Sequence, residues 1–577
     1  ERMRKMKKLH LICNSHIDPV WMWDWEEGLG TAISTFYQAA EFFKEYEYVF
    51  CHNEAILYEF IEAHDPALFA EISRLVAEGK WQIIGGWYLQ PDCNLPSGEA
   101  FVRQIKLGRE YFEEKFGARP TTAINFDSFG HNVGMVQIMK KCGYDSYLFC
   151  RPMPNMLDLP DNVFYWVGKD GSKVKAHRFD DDTIYCSEYG NALNDIKRKM
   201  SKQPNAEVGV ALWGVGNHGG GPSRKDVKDI NEQLLPREDV KIMHSCPENF
   251  FARMTPAHEV DYSLRISMPG CYTSMGKIKR KHALLESELS ITEKMLSTAL
   301  ACGLLKSYPE EKLHEITQDL LNAEFHDVLP GSSILPAEEM ALRMMDHALE
   351  ILSRLRMRAF MALSDGEPEA PTGEIPVLVY NPHPYPVTED IMCEFMLADQ
   401  NWSGTFHNPV AYRDGVRLTS QCEKEYSNLP LDWRKRVIFR AELAPMSMNR
   451  FDCKIEVLDK KPVGDPVALF GDDPAVMLFI PPHMAVEINR KTGLIDRLTA
   501  NGKTYLGKNS CAIDVMQDSH DAWGMTFREW RDKIGSFTLL SDEEGTAFSD
   551  QDATIPSIRV IEDGPVRAVV EAVFGYE

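Results

Sequence analysis

From residue 9 to about residue 250, short apolar runs alternate with longer stretches in which apolar side chains recur every three to four positions. Leu9–Cys13, Tyr48–Cys51, Trp81–Gly85, Thr122–Phe126, Ser146–Cys150 and Val208–Trp213 read as buried strands. Thr31–Tyr46, Pro66–Glu78, Glu99–Lys115 and Val133–Lys141 read as amphipathic helices between them. Strands alternating with helices predict a parallel sheet built from βα units over residues 1–260, open or closed into an α/β barrel. The pattern then changes. Lys277–Leu305, Glu310–Asn322 and Pro336–Leu363 carry helical spacing with few glycines, which predicts a three-helix bundle within 261–365. Ser364–Gly373 is a linker by composition, and 366–577 carries short Val-, Ile- and Phe-rich runs separated by turns, the pattern of a β-sandwich. The expected class is therefore multidomain α/β plus α plus β. Pro565–Glu577 is strand-like with no closing element after it, so the natural chain is expected to be longer.

Composition narrows the partners. Sixty-three basic residues against 86 acidic ones give a net charge of −23, which disfavours nucleic acid and anionic membranes. A neutral ligand such as a sugar fits better. The basic start is followed by too short an apolar run for a signal peptide, and no run is long enough to span a membrane. The 13 cysteines are scattered without a Cys-x-x-Cys pair, as expected of reduced thiols in the cytoplasm.

The chemistry gathers where the strand candidates end. His16 and Asp18 follow Leu9–Cys13, and residues two apart in extended chain point the same way. An imidazole and a carboxylate are half of a tetrahedral site for Zn²⁺ or a similar cation. Asp127, after Thr122–Phe126, and His326, after the second bundle helix, are candidates for the other half. Each also has a plainer reading: Asp127 as a cap for the next helix, His326 as a helix C-terminal histidine favoured by the macrodipole. The glycine-rich loop Gly214–Ser223 lacks the Lys-Ser/Thr of a phosphate-binding loop. It allows close approach of a ligand to backbone, or a tight strand-to-helix turn, and would project His218 towards the strand ends. Of Trp21, Trp23 and Trp25, one indole is expected to stack on a ligand and the others to pack. The Asp180-Asp181-Asp182 run supplies further carboxylates, although such runs are usually solvated. No Gly-x-Ser-x-Gly elbow is present, which disfavours a serine hydrolase.

Four fragments in order, His16-Ile-Asp18-Pro-Val-Trp21, Gly86-Trp-Tyr-Leu-Gln-Pro-Asp92, Phe126-Asp127-Ser-Phe-Gly-His131 and Phe325-His326-Asp327-Val-Leu-Pro-Gly, resemble glycoside hydrolase family 38, the retaining zinc-dependent α-mannosidases. The resemblance implies one Zn²⁺ per chain, with His16, Asp18, Asp127 and His326 as ligands. It implies Asp127 as the nucleophile of a covalent mannosyl-enzyme, Trp21 beneath the sugar, and Asp327 on sugar hydroxyls. Asp92 and His218 are carried over to the same pocket, and the implied partner is a mannose-containing oligosaccharide. A homo-oligomer is compatible with all of this. Arg265–Pro269 holds no carboxylate where better-known members carry their acid/base aspartate, so the general acid is left among Asp180, Asp181, Asp182 and Asp521. Two other readings compete: a zinc-dependent amide or acetyl hydrolase, and a carbohydrate-binding protein without turnover.

Overall fold

The computed structural model describes residues 6–576 apart from 182–183, 204–205, 426–431, 463–467, 471–473, 481–482, 527–528 and 550–552. The chain forms two compact units. The first is Glu1–Ser290, Pro309–Arg354 and His520–Arg528; the second is Ile291–Tyr308, Leu355–Ser519 and Glu529–Glu577.

Among the described residues the first unit holds the strands β1 (Lys8–Asn14), β2 (Phe50–His52), β3 (Trp81–Ile83), β4 (Thr122–Asn125), β5 (Ser146–Phe149), β6 (Val163–Val167), β7 (Lys173–Arg178), β8 (Val208–Trp213), β9 (Lys241–His244) and β10 (Glu259–Val260). They are interleaved with α1 (Trp25–Phe42), α2 (Ala55–His64), α3 (Pro66–Ala77), α4 (Gly98–Phe116), α5 (Gly134–Lys141), α6 (Ala192–Ser201), α7 (Arg224–Gln233) and α8 (Pro247–Phe251). All six strand candidates are strands, in places a residue or two shorter. Among the described residues they do not close into one hydrogen-bonded ring. Two five-stranded sheets form instead, one in the order β3-β2-β1-β8 with β9 also on β1, the other β10-β6-β7-β5-β4. The β6–β7 pair is antiparallel. Ile12, Cys51, Ile124, Leu148, Val210 and Leu212 nevertheless pack in one buried cluster, so both sheets wrap a common interior.

Each seam has a cause. Beyond β3 the chain turns through Gly85 and Gly86 at φ of 70° and 82°, leaving the strand direction before it reaches β4. Between β7 and β8 lies a cavity of about 790 Å³, lined by His177, Phe179, Asp180, Asp181, Val208 and Val210 among others.

Helix α4 shows how sequence sets local structure here. Ser97 caps it, its Oγ accepting from Ala100 N at 3.2 Å, and Gly117 ends it in the left-handed region. Its buried stripe of Phe101, Ile105, Gly108 and Phe112 faces inward at helical spacing. A Cβ on Gly108 would stand 2.3 Å from Trp87 C, so the helix is pressed onto the backbone of the segment after β3.

Three long helices follow, α9 (Gly276–Ala301), α10 (Glu310–Ala323) and α11 (Leu335–Leu363), matching the three helical stretches expected from spacing. The second unit takes the C-terminal parts of α9 and α11 and the β region. There β11 (Glu374–Asn381), β12 (Val387–Met396), β13 (Phe406–Arg413), β14 (Val416–Arg417), β15 (Ser420–Glu423), β16 (Arg434–Leu443) and β17 (Ser447–Leu458) form two antiparallel sheets, β11-β17-β13-β14 and β12-β16-β15. Val377, Val437, Phe439, Phe451 and Cys453 fill the space between them, as in a sandwich. A five-stranded antiparallel sheet, from β18 (Ala468–Phe470) through β19 (Val476–Phe479), β20 (Met484–Asn489) and β21 (Ile495–Ala500) to β22 (Lys503–Leu506), comes next. No helix among the described residues is long and apolar enough to cross a membrane.

Candidate active site

Strand β1 ends at Asn14, and His16 and Asp18 follow on a loop pinned from the far side by the glycine-rich segment after β8. Asp18 N donates to Asn217 O at 3.0 Å, and Ile17 bridges to both Asn217 and His218. This approach requires glycine. A Cβ on Gly214, at φ 115°, would stand 2.1 Å from Asn14 O. The loop's glycines thus let it pack on neighbouring backbone between β8 and α7.

His326 lies beyond α10, whose C-cap is Glu324, so it is not a helix-terminal histidine. The chain there reaches the loop after β3: Pro91 bridges to Phe325, and His326 Nδ1 donates to Gln90 O at 3.0 Å. That bond fixes the ring's tautomer and leaves Nε2 with its lone pair.

The side chains of His16, Asp18 and His326 converge within 4.8 Å of one another, all buried. His16 Nε2 is 2.9 Å and His326 Nε2 3.3 Å from Asp18 Oδ1. Beyond this mutual contact, neither ring nitrogen nor either carboxylate oxygen has a partner. Buried polar atoms without partners are costly, and two imidazole nitrogens aimed at one carboxylate are the donor set of a divalent cation such as Zn²⁺. The residues fit a metal. The electrostatics agree. Burial alone would raise Asp18, yet the two histidines hold it well below the usual carboxylate range. Burial alone would depress His326, but the Asp18, Asp327 and Asp127 carboxylates push it up to about 10. Protons on these rings do in the isolated chain what a bound cation does better.

Asp127 follows β4 and caps no helix, since α5 has Val133 at its N-cap. Each carboxylate oxygen is held: Arg151 Nε donates to Oδ1, and Tyr185 OH donates to Oδ2 at 3.2 Å. Arg151, just beyond β5, is itself steadied by the buried His131, whose Nε2 meets its carbonyl at 2.7 Å. Asp127 and Asp327 both line a pocket of about 230 Å³ together with Trp21, Tyr185, Asn217 and Trp523. Tyr185 stands against the His16 ring with centroids 4.5 Å apart, so the pocket adjoins the histidine cluster. Trp21 and Trp523 lie 5.9 Å apart at 35°, two indole faces forming an apolar corner. Asp327 Oδ1 accepts from Ser332 Oγ at 2.5 Å; burial pushes this carboxyl up to about 7, with His326 opposing and Asp18 and Asp127 adding to the rise.

Other candidate residues are placed elsewhere. Asp92 is buried in its own turn, accepting from Leu95 N at 2.7 Å and Tyr272 OH at 2.5 Å. His218 points away from the pocket, to Glu27 at 2.7 Å and the edge of Trp23; its neighbour Asn217 lines the pocket instead. Asp180 and Asp181 belong to the β7–β8 seam, where Asp181 pairs with Arg198 at 2.8 Å and Asp180 accepts from Asn162 at 2.7 Å. Asp521 turns back onto Thr526 N at 2.6 Å, and Trp523 rather than Asp521 lines the pocket. Asp182 lies outside the described residues. Among the described lining residues the pocket carboxylates are thus Asp127 and Asp327.

Arg151, Tyr185, Asn217 and Trp523 were not singled out from the sequence. Arg151 had the same signal as Asp127, a polar residue at the end of an apolar run. Tyr185 and Trp523 had none, because long loops bring them in.

Comparison with known proteins places these features. Residues 6–265 match the model of the glycosyl hydrolases family 38 N-terminal domain, and residues 268–363 that of the alpha mannosidase middle domain. Alpha-mannosidase G of Dictyostelium discoideum is 30% identical over 357 residues, 59% of this chain and 32% of that protein. Human alpha-mannosidase 2C1 is 28% identical over 390 residues, 65% of this chain and 36% of its own. The chain therefore spans about a third of the length of these curated relatives. The crystal structure of an alpha-mannosidase from Enterococcus faecalis V583 shares the fold, with a TM-score of 0.77 at 16% identity, covering 98% of this chain and 67% of that one.

Proposed function

This chain belongs to glycosyl hydrolase family 38, and from that premise we propose that it hydrolyses α-linked mannose from oligosaccharides with retention of configuration. The observation that carries the reading is the buried meeting of His16, Asp18 and His326, with unpartnered donor atoms, beside a pocket that holds Asp127. We assign one Zn²⁺ to His16, Asp18 and His326, whose donor atoms converge, with Asp127 of the adjoining pocket as the fourth ligand that the family pattern implies. A cation there supplies an electrostatic clamp for neighbouring sugar hydroxyls and favours a flattened, oxocarbenium-like ring.

The remaining work falls to the chain's own groups. Asp127 is the nucleophile: one oxygen bonds to the anomeric carbon as the bond to the leaving oxygen breaks, giving a mannosyl ester. Water then attacks the same carbon and the ester bond opens, freeing α-mannose and the carboxylate; the proton that this water gives up to solvent balances the one that the departing oxygen takes from it. Arg151 and Tyr185 hold that carboxylate in a single orientation before attack. Trp21 and Trp523 offer apolar faces to the sugar's C–H surface, and Asp327 accepts from its hydroxyls.

The test is a nitrophenyl α-mannoside assay with and without chelator, joined to labelling by an activated fluorinated mannoside. Turnover lost to chelator and regained with Zn²⁺, and the label on Asp127, are expected. A metal-dependent amide or acetyl hydrolase would show no glycosyl label, and a mere binder no turnover. Among the described lining residues Asp127 and Asp327 are the carboxylates, so nitrophenyl mannosides, whose leaving group departs unprotonated, are expected to turn over far faster than alkyl mannosides. Equal rates would show that a general acid serves the leaving oxygen.

A further inference from the structure

One residue touches three of the four segments that build this centre. Gln90 lies fully buried in the loop after β3. Its backbone carbonyl accepts from His326 Nδ1 at 3.0 Å and from His326 N at 3.4 Å. Its side-chain Nε2 lies 3.0 Å from His16 Nδ1 and donates to Glu54 Oε1 at 3.0 Å. Its Oε1 accepts from Phe126 N at 3.0 Å, the amide immediately before Asp127. We propose that Gln90 is the positioning residue of the metal centre: its carbonyl sets the tautomer of His326, and its amide oxygen holds the end of β4 directly before Asp127.

The arrangement resists slippage. The backbone N–H of Phe126 can only donate, so it holds the Oε1 end of the amide, and the Nε2 end is left to face His16 and Glu54. Glu54 in turn is buried, at φ 72°, and accepts from Gln90 N at 3.3 Å, so the residue is gripped at both its backbone and its side chain. The next residue extends the link: Pro91 O accepts from Ser128 Oγ at 2.9 Å. Partners in this outer layer set ring orientation and metal affinity; losing one typically costs about 10- to 100-fold in affinity. Asp92, two residues on, makes no such contact with the ligands, and its Tyr272 bond serves the loop alone.

The inference rests on the metal reading above, and its test separates the two. Cobalt binding to the chelator-stripped chain is followed by visible spectrum and by competition with a chelator, beside the unfolding temperature of the stripped protein. Gln90→Met keeps bulk and loses every side-chain hydrogen bond. Gln90→Asn keeps the amide on a stem too short to span from Phe126 N to His16, and decides the matter if the first variant does not fold. Tyr272→Phe loosens the same loop without touching a histidine. Expected are a 10- to 100-fold loss of cobalt affinity and an altered spectrum in the Gln90 variants, with the Tyr272 variant like the parent. Parental affinity and spectrum in a folded Gln90 variant overturn the proposal, as does an equal effect of Tyr272→Phe. A parent chain that binds no cobalt overturns the metal reading itself.

Discussion

Arg151 and Asp127 form an ion pair about nine-tenths buried, and the carboxylate is the group assigned to attack the sugar. Removing one partner of such a pair leaves a charge unpaired in a poorly solvated place, which costs about 3 kcal/mol at the low end of the range for buried pairs. Arg151→Leu is therefore expected to lower stability by that order in urea denaturation and to lower kcat by about 100-fold, with KM little changed. A kcat within threefold of the parent would show that Asp127 needs no such partner. Asp127→Asn, by contrast, is expected to abolish turnover while leaving the chain folded by circular dichroism. At this scale the sequence was informative where a polar side chain ends an apolar run, as at His16, Asp18 and Asp127. It was silent about Asn217 and Trp523, because no local pattern marks a residue whose neighbours are hundreds of positions away. It misdirected at His218, where φ 64° at Asn217 turns the chain so that the asparagine faces inward and the histidine out to Glu27.

Helix α4 bears on the site without supplying a ligand. Its Gly108 lies against Gly86 O, Trp87 C and Tyr88 N, each within 2.5 Å of where a Cβ would stand, and Gln90 follows two residues later. Alanine is the better helix former by about 1 kcal/mol, but the overlap is with backbone and cannot be relieved by a rotamer change. Gly108→Ala is expected to destabilise the chain by about 1–3 kcal/mol net in urea denaturation and to weaken cobalt binding. A more stable variant would show that helix and loop separate freely. The same scale explains what spacing revealed. β1, β4, β5 and β8 were legible because both faces are buried and their residues are continuously apolar. β7 was not, since Lys173, Lys175, His177 and Arg178 interrupt the pattern, and α6 and α7 hide in lysine-, arginine- and aspartate-rich stretches. A closed ring is not seen among the described residues, and three-residue strands such as β2 and β3 carry too few bonds to dictate one.

Across the whole first unit, burial holds several histidines neutral. His10, His131 and His244 are depressed to about 4, and His52 and His177 to about 3, burial being the main cause in each. In the unfolded chain these rings take up protons near pH 6.5; in the folded one they do not until pH 4 or below. Between those limits the unfolded state binds more protons, so stability falls as pH falls, each ring adding about 1.4 kcal/mol per pH unit. Urea midpoints at pH 7 and pH 5 are expected to differ strongly, and a flat profile would show that these rings are hydrated. One pocket wall comes from a remote part of the chain. His520–Arg528 belongs to the first unit, Trp523 O accepts from Gly270 N at 3.1 Å, and a Cβ on Gly270 would stand 2.5 Å from Ala522 O. Trp523→Ala is expected to raise KM for a mannoside by about 10-fold, consistent with one lost stacking contact of about 1–1.5 kcal/mol, and to leave the urea midpoint almost unmoved. During translation, the histidines and Asp127 emerge and can settle long before that indole leaves the ribosome. A nascent chain stalled before residue 520 would thus carry the proposed cation centre beside a pocket that still lacks one of its indole walls.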